Sequence, residues 1–400
     1  MSHYHPLSEE QAIRYAQALP GLFPDGSELV SHEIGDGNLN LVFHITDRTS
    51  GRSVIMKQAL PYAKVVGESW PLTLDRARIE SEALRTQSSF CPDLVPTVYN
   101  YDPDLALTVM EDLSDHVIMR KGLIGGTEYP LFAGHIGRFL AQTLFGTSDL
   151  GMNQQEKKLL VGRFLNPELC KITEDLIFDH PYRNADTNDF DEAIRPDAEA
   201  LWTDGELHLE VALLREKFLT QAQALLHGDL HTGSIFVTPV STKVIDPEFA
   251  YFGPMGFDIG AVIANLLLSY VSQDGWIQDA GHRRDYREFL LHTVRDVWTT
   301  FAREFAALWD EKAIDPLAAA PGYKEHYLAQ VLKDSIGFAG CKMVRRIVGL
   351  AHVADIRTIP DADVRARAER NALAVGKALI KRGRHAVSID DAIEAAKVFV

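Results

Sequence analysis

The alternation of apolar and polar residues predicts strands near the start of the chain. Between residues 27 and 60, short stretches alternate in steps of two and are interrupted by the glycine-bearing segments GDGN and RTSGR. This pattern is typical of an antiparallel hairpin followed by a further strand. The segment TLDRARIESEALRTQ then places Leu74, Ala77 and Leu84 at helical spacing, with Thr73 as the expected N-cap. With two more strands in VPTVYNYD and LALTVMED, residues 1–110 predict a small sheet and one long helix.

A helical period dominates the remaining chain. The predicted helices cover residues 129–144, 167–178, 205–224, 256–270, 285–308 and 324–353. The exceptions are two short strands, SIFV and KVID, and an acidic, irregular stretch at 179–197 that we expect to be a surface excursion. The pattern predicts an α+β protein with a small β-rich N-terminal lobe over 1–110 and a larger, mainly helical C-terminal lobe over 116–400. Residues 111–115 connect the two predicted lobes.

Composition and charge narrow the functional classes. The 400 residues carry 56 acidic and 40 basic side chains, a net charge of −16, which disfavours nucleic acid and anionic membranes as partners. Cys91, Cys170 and Cys341 lie far apart without CxxC spacing, which indicates neither a disulfide framework nor a thiolate metal site and favours the cytoplasm. The most apolar stretch, GAVIANLLLSYV, is shorter than the about 20 residues that a bilayer needs, so we expect a buried core helix.

The N-terminal strands carry a glycine turn and an unusual lysine. Gly35 and Gly37 in EIGDGNLNLVFHI would let backbone N–H groups approach a polyphosphate, although two such glycines alone more often form an ordinary hairpin turn. Lys57 lies in the apolar strand SVIMKQAL, where it either extends to solvent or meets an anion. A glycine loop, its return strand and a lysine on the next strand resemble the phosphate-binding arrangement of protein-kinase-like folds. Either Glu80 or Glu82 could pair with Lys57.

Two acidic loops follow one another in the C-terminal part. Asp229 in HGDLHTGS is predicted to lie between a helix ending at residue 226 and the strand SIFV, as the proton-accepting aspartate of kinase catalytic loops does. Asp246 and Glu248 in VIDPEF are two residues apart, a spacing that in an extended segment directs both carboxylates to one side and suits Mg²⁺. Each acid alone could be a turn cap, but the combination favours phosphoryl transfer. His227 and His231 lack metalloprotease spacing and are expected to hold the loop by hydrogen bonds.

The motifs together resemble the methylthioribose kinases, a family of the protein-kinase-like superfamily that phosphorylates small molecules. The resemblance rests on HGDLHTGS, DPEFAYFGPMGFD, GDGNLNLVF, SWPLTLDRARIE and VMEDL and extends over nearly the whole chain. It implies a two-lobed protein-kinase-like fold and a magnesium-dependent homodimer. It also implies that ATP donates its γ-phosphate to the anomeric hydroxyl of 5-methylthioribose, a step of methionine salvage.

The resemblance implies roles for particular residues. Those implied to bind ATP are Asn40, Lys57, Glu111, Asp112, Leu113, Asp246, Pro247 and Glu248, with the segment 111–113 hydrogen-bonding adenine. Asp246 and Glu248 would also hold magnesium, and Asp229 would act as the base. Ser234 stands where protein kinases carry a metal-binding asparagine, so the number of metal ions is left open.

The sugar is implied to contact Asp229, the adjacent pair Arg345 and Arg346, and Trp70. Adjacent residues on a helix diverge by about 100°, so one arginine of such a pair is ordinarily solvated. The helix in GFAGCKMVRRIVGL is apolar, however, and arginines buried on it need an anion or several acceptors. Trp70 is equally compatible with closing over the substrate or filling the core.

Two other functions fit parts of this pattern. A kinase acting on choline, an aminoglycoside or another sugar would share the ATP site, but the arginine pair argues against a cationic acceptor. A pseudokinase that only binds nucleotide would lack acids needed for transfer, and all of them are present here.

Overall fold

The chain divides into two compact units in the computed structural model. The model describes residues 4–35, 40–63 and 67–400, with the backbone alone for Ala63 and for 67–70. Unit 1 comprises Met1–Asp115 with Ile245–Ala250, and unit 2 comprises His116–Val244 with Tyr251–Val400. The segment that carries Asp246 and Glu248 therefore belongs to unit 1, although it follows Asp229 in sequence.

Unit 1 is built on an antiparallel sheet with the strand order β1-β2-β3-β7-β6. Its elements are α1 (Glu9–Ala18), β1 (Leu29–Glu33), β2 (Asn40–Asp47), β3 (Ser53–Ala59), β4 (Tyr62–Ala63), β5 (Gly67–Pro71), α2 (Asp75–Phe90), β6 (Val98–Asp102) and β7 (Leu107–Glu111). Phe43, Ile45, Val54 and Met56 alternate along β2 and β3 and are buried in one core. The predicted sheet and its long helix are confirmed, because the period of two in the sequence matches the buried face of these strands.

Helix α2 carries charged residues on its buried face. Arg76 and Glu80 share that face with Ile79 and Ala83, at the spacing of an apolar stripe. The N-cap position is Leu74 and not Thr73 as expected, although Thr73 Oγ1 still accepts a hydrogen bond of 3.2 Å from the Asp75 N–H.

Unit 2 is mainly helical. Its strands are β8 (Val117–Ile118), β9 (Ala224–Leu225), β10 (Ile235–Val237), β11 (Thr242–Val244) and β12 (Phe252–Gly253). Its helices are α3 (Met119–Ile124), α4 (Phe132–Gly146), α5 (Gln154–Arg163), α6 (Pro167–Phe178), α7 (Arg195–Trp202), α8 (Gly205–Thr220), α9 (Gly256–Ser272), α10 (Ala280–Lys312), α11 (Tyr323–Val348), α12 (Ala354–Arg357), α13 (Ala362–Gly383) and α14 (Asp390–Lys397).

The centre of unit 2 is formed by α9, α11 and α13. Helix α9 contains the apolar stretch of the sequence and is buried along its whole length, as predicted. Helix α11 packs against both α9 and α13. At Gly340 of α11 a Cβ atom would lie 2.5 Å from the carbonyl oxygen of Gly376 in α13, so only glycine allows this approach. Among the helices described, none combines the length and apolarity that a membrane crossing requires.

Two local predictions are wrong. The helix before the HGD motif ends at Thr220 rather than at residues 224–226, because Ala224 and Leu225 form strand β9 and pair with β12. The stretch 179–197 is not a mere surface excursion. It contains 3-10 turns at His180–Tyr182 and Glu192–Ile194, and Tyr182 and Ile194 are buried there. The sequence did not predict these buried residues, because the apolar residues are spaced irregularly among acids and show no helical or strand period.

Candidate active site

Lys57 of β3 is buried and paired with carboxylates of unit 1. Its side chain is 9% exposed, and Nζ donates to Glu80 Oε1 at 2.7 Å and to Asp246 Oδ1. Glu82 instead accepts from Arg78 at 3.1 Å on the surface of the same helix. The structure therefore selects Glu80 of the two possible partners, because residue 80 and not residue 82 lies on the buried face of α2.

The charge of Lys57 is maintained by this environment. Burial would lower the pKa of Lys57, but the surrounding carboxylates outweigh burial and raise it, Asp246 most strongly, then Glu80 and Glu248. Burial raises the pKa of Glu80, and the charge of Lys57 opposes that rise. Lys57 is therefore a permanent cation surrounded by acids, as a lysine that binds phosphates must be.

Arg76 is a buried organising residue that the sequence analysis missed. Its side chain is 1% exposed, and Nη1 donates to Glu248 Oε2 at 2.8 Å and to Asn40 Oδ1. Nη2 donates to the Leu60 carbonyl at 2.9 Å. One guanidinium thus fixes two residues that were predicted to bind ATP. Its position on the apolar stripe of α2 could have indicated a buried arginine, and a buried arginine requires several hydrogen-bond acceptors.

The backbone around Asp246 differs from the extended segment that we expected. Strand β11 ends at Val244, Asp246 has φ +62°, and Glu248 lies in a turn closed by a hydrogen bond from the Ala250 N–H to the Pro247 carbonyl at 3.1 Å. The left-handed conformation is rare for residues with a Cβ, and aspartate is among those that tolerate it best. Asp246 and Glu248 are therefore directed to Lys57 and Arg76 by a turn and not by strand alternation.

This set of unit 1 side chains fits a divalent metal. Glu80, Asp246 and Glu248 provide three carboxylates against the two cations Lys57 and Arg76, which leaves the named set with one excess negative charge. Mg²⁺ prefers oxygen ligands and is usually held by one or two carboxylates together with phosphates. Asp246 and Glu248 are the residues with the right chemistry for it, and the Asp246 side chain is 40% exposed.

The predicted adenine segment is fixed by its own side chains. Glu111 Oε2 accepts from the Thr97 N–H at 2.9 Å, and Leu113 is buried. Asp112 Oδ2 accepts from Ser53 Oγ at 2.6 Å and lies 2.9 Å from His44 Nε2. These two acidic side chains are thus engaged within unit 1, and the role of residues 111–113 in adenine binding stays a prediction.

In unit 2, the loop around Asp229 is fixed by backbone hydrogen bonds. Gly228 has φ +85°, a conformation that glycine adopts without strain. Asp258 at the start of α9 is buried, and its carboxylate accepts from the His227 N–H at 2.6 Å and the Gly228 N–H at 3.0 Å. His231 Nδ1 accepts from the Gly233 N–H at 3.0 Å. Asp258 is the last residue of the motif DPEFAYFGPMGFD, but its hydrogen-bond partners could not be predicted from the sequence.

The Asp229 carboxylate is surrounded by cationic and polar groups of unit 2. Lys342 Nζ donates to Oδ1 at 3.1 Å, Arg346 Nη2 lies 3.9 Å from the same oxygen, and His231 Nε2 lies 3.4 Å from Oδ2. Burial raises the pKa of Asp229. The charges of Lys342 and of the two arginines of α11, together with the neighbouring His231 ring, outweigh burial and hold that pKa well below its usual range. Asp229 is thus a carboxylate at any physiological pH.

Arg345 and Arg346 converge instead of diverging. Nη1 of each donates to the Ala351 carbonyl, at 3.2 Å and 2.9 Å, because α11 ends at Val348 and the chain then passes the end of the helix. Arg346 is buried and Arg345 is partly buried. The two guanidinium groups thus share one acceptor, and Arg346 Nη2 also lies 3.9 Å from Asp229 Oδ1.

Other predicted positions are placed only in part. Trp70 lies in β5, but its side chain is outside the described residues, as is the tip of the glycine loop at 36–39. Ser234 is buried, with Oγ 3.4 Å from His231 Nδ1. Ser234 therefore belongs to the hydrogen bonds of the Asp229 loop.

The profile of the phosphotransferase enzyme family matches residues 31–310 of this chain. That range covers more than half of the sequence and includes the glycine loop, Lys57, Asp229 and the Asp246–Glu248 segment. The chain therefore belongs to the phosphotransferase enzyme family, and the predicted α+β fold class is confirmed.

Curated relatives narrow this class. A methylthioribose kinase from Geobacillus kaustophilus (strain HTA426) is 55% identical over 390 residues, which cover 98% of this chain and 96% of that protein. A methylthioribose kinase from Bacillus pumilus (strain SAFR-032) is 50% identical over 384 residues, with 96% and 94% covered. Among solved structures, a choline kinase from Cryptosporidium parvum Iowa II covers 91% of this chain and 95% of its own with 13% identity and a TM-score of 0.46. The chain belongs to the methylthioribose kinase family, as its motifs indicated.

Proposed function

We propose that this protein transfers the γ-phosphate of ATP to the anomeric hydroxyl of 5-methylthioribose and forms 5-methylthioribose 1-phosphate, a step of methionine salvage. The observation that carries the reaction type is the Asp229 carboxylate, held ionised among cations on a loop fixed by Asp258. The relatives named methylthioribose kinase, at 50% and 55% identity over nearly the whole chain, support the acceptor.

Unit 1 supplies the groups that would bind the nucleotide. Lys57 is a buried cation that would contact ATP phosphates in addition to its carboxylate partners, and the Asn40 side chain is held in place by Arg76. Backbone groups of residues 111–113 would hydrogen-bond adenine. Asp246 and Glu248, with Pro247 between them, would hold Mg²⁺, which when bound neutralises phosphate charge.

Unit 2 supplies the groups that would act on the acceptor. Asp229 accepts a hydrogen bond from the anomeric hydroxyl and orients its oxygen toward the γ-phosphorus. Its low pKa makes it a weak base, which suits a loose transition state in which the hydroxyl proton leaves late. Arg345 and Arg346 hold the sugar and compensate the negative charge on the transferred phosphoryl group. Trp70 is proposed to cover the sugar.

The charge around Asp229 also bears on the rival acceptors. Choline and aminoglycosides are cations, and the positive charges of Lys342, Arg345 and Arg346 next to Asp229 disfavour them electrostatically. A nucleotide-binding pseudokinase would have no use for an ionised carboxylate held in this way. We further propose that the enzyme is a cytoplasmic homodimer, which light scattering after gel filtration would test.

The experiment that tests this function is ADP release with Mg-ATP and a panel of acceptors. The panel contains 5-methylthioribose, ribose, choline and an aminoglycoside, and phosphorus NMR locates the new phosphate. We expect a 1-phosphate from 5-methylthioribose alone. Turnover of another acceptor instead of 5-methylthioribose would overturn the substrate assignment. If no acceptor of the panel gives magnesium-dependent ADP release, the transferase function itself is overturned.

A further inference from the structure

Lys342 is a buried lysine of α11 for which the sequence analysis assigned no role. It is 3% exposed and lies between Cys341 and Met343, one turn before the arginine pair. Long charged side chains are almost never this buried unless they are paired, so its partners indicate its purpose.

The ammonium of Lys342 lies between the Asp229 carboxylate and an aromatic ring. Nζ donates to Asp229 Oδ1 at 3.1 Å and lies 4.3 Å from the centroid of the Phe257 ring. Phe257 precedes Asp258, the residue that accepts hydrogen bonds from the backbone N–H groups of His227 and Gly228. A cation over a ring face at this distance is attracted to it, so the ring and the carboxylate together fix the ammonium.

The second oxygen of Asp229 has a different neighbour. His231 Nδ1 accepts from the Gly233 N–H, so a neutral ring carries its proton on Nε2, which lies 3.4 Å from Oδ2. Burial lowers the pKa of His231 well below its usual range, which keeps the ring neutral. Arg346 is farther away, at 3.9 Å from Oδ1, and its Nη1 is engaged by Ala351. Lys342 is therefore the nearest formal positive charge to the carboxylate among these neighbours.

Stability alone does not account for this ion pair. A buried pair often contributes no more than apolar residues of the same volume would, because both ions lose their hydration. Here the cost is larger, since burial lowers the pKa of Lys342 and the nearby charges of Arg345 and Arg346 lower it further, against the opposing effect of Asp229. An apolar residue at position 342 would avoid this cost but would leave Oδ1 without its donor.

We propose that Lys342 is a positioning residue for phosphoryl transfer, whose ammonium holds Oδ1 of Asp229 and thereby fixes the carboxylate in the orientation that receives the acceptor hydroxyl. This role rests on the proposed function, because it assigns the Asp229 carboxylate to the acceptor. Lys342 acts through Asp229 and makes no contact of its own with the reacting atoms.

The test compares Lys342→Met, Lys342→Arg and a matched control, Lys217→Met. Lys217 forms a similar ion pair with α11, in which Nζ lies 2.5 Å from Oδ1 of the buried Asp334. We expect Lys342→Met to lower kcat about 10- to 100-fold, with the KM values for ATP and sugar changed less than about 3-fold, because a misoriented group affects the transition state more than binding. Lys342→Arg should recover most of the lost kcat, and Lys217→Met should lower Tm without lowering kcat.

The dependence of kcat on pH in the acid range distinguishes a positioning role of Lys342 from a role in packing alone. Among the described residues, the charged or titratable groups that act most strongly on Asp229 are Lys342, Arg345 and Arg346 from α11 and His231 from its own loop. Loss of Lys342 should raise the pKa of Asp229, so the acid limb in Lys342→Met should move to higher pH, whereas Lys342→Arg should keep it in place.

Each result decides one claim. Wild-type turnover of 5-methylthioribose in the same assay tests the proposed function, and the ratio of variant to wild-type kcat on whichever acceptor is used tests Lys342. A Lys342→Met enzyme with wild-type kcat and an unmoved acid limb would overturn the inference. If Lys342→Met fails to fold, Lys342→Arg decides: kcat and an acid limb near those of the wild type support the positioning role, and a folded Lys342→Arg enzyme without activity overturns it.

Discussion

The two units each bury a cluster of charged side chains, and the clusters have opposite balances. In unit 1, Glu80, Asp246 and Glu248 outnumber Lys57 and Arg76, so the named set carries an excess negative charge. In unit 2, the three cations Lys342, Arg345 and Arg346 face the Asp229 carboxylate, and the buried acids Asp258 and Asp355 lie near this set. Buried charges are costly unless they are compensated, so each imbalance indicates the charge of what the cluster receives. The acidic cluster suits a metal ion, and the basic cluster suits a phosphoryl group.

The clusters also differ in how they are held. The unit 1 cluster is an ion-pair network between a strand, a helix and the segment 245–250, with Arg76 at its centre. The Asp229 loop depends on backbone donors, those of His227 and Gly228, that are fixed by Asp258. Changes in the first cluster should therefore alter metal and nucleotide use, whereas changes in the second should alter transfer to the acceptor.

The largest effect is expected from Asp229→Ala. Removal of the group that orients the hydroxyl should lower kcat by at least about 10³-fold, within the range found for catalytic acids and bases. ADP release under saturating substrates measures it. Asp310→Ala, which removes an exposed acid paired with Lys324, is the matched control and should keep wild-type kcat. An Asp229→Ala enzyme as active as the control would remove the carboxylate from the mechanism.

The next effect is expected from Arg345→Ala. Loss of a charge-assisted hydrogen bond to the sugar should raise the KM for 5-methylthioribose about 10- to 100-fold and leave the KM for ATP nearly unchanged. Initial rates with one substrate varied at a time measure both constants, and Arg370→Ala on the surface of α13 serves as control. If the two KM values rise equally, Arg345 has a structural role. The claim that the unit 2 cluster acts on the sugar and not on ATP is then wrong.

A smaller effect is expected from changes in the unit 1 cluster that is proposed to hold Mg²⁺. Glu248→Gln should raise the Mg²⁺ concentration for half-maximal activity about 10-fold or more, since loss of a metal ligand or its support typically costs this much. Arg76→Lys keeps the positive charge but loses the guanidinium group that holds Asn40 and Glu248. It should raise this Mg²⁺ concentration less than Glu248→Gln does. Activity titrated with Mg²⁺ at fixed ATP measures both. An unchanged magnesium requirement in Glu248→Gln would place the ion elsewhere.

The smallest effect concerns Glu369, a buried acid outside both clusters. Within the part of the chain that the structure describes, its Oε2 has no hydrogen-bond partner, and burial raises its pKa to about 7. The folded state thus binds a proton that the unfolded state has lost, so stability falls as pH rises from about 4.5 toward 7. Glu369→Gln should be about 1 kcal/mol more stable than the wild type at pH 8 and show no such gain at pH 5. Equal differences in urea unfolding at the two pH values would contradict this.

The sequence was most informative where local pattern determines structure. Alternation located the sheet, and the apolar stripe of α11 indicated that Arg345 and Arg346 would need acceptors. What it could not provide were contacts between residues distant in the chain. Arg76 meets Glu248 and Lys342 meets Asp229 across more than a hundred residues, and no periodicity encodes such a pairing. The turn at Asp246 could not be predicted either, because the spacing of residues around an aspartate before proline does not indicate a positive φ.

The division between the clusters is tested most directly by equilibrium binding, measured by calorimetry, of Mg-ATP and of 5-methylthioribose to Asp229→Asn and Glu248→Gln. We expect Asp229→Asn to bind Mg-ATP with the Kd of the wild type although it does not turn over. We expect Glu248→Gln to bind Mg-ATP about 10-fold more weakly and the sugar with the wild-type Kd. If Asp229→Asn loses Mg-ATP binding as severely as Glu248→Gln does, the two clusters do not divide the reaction between them.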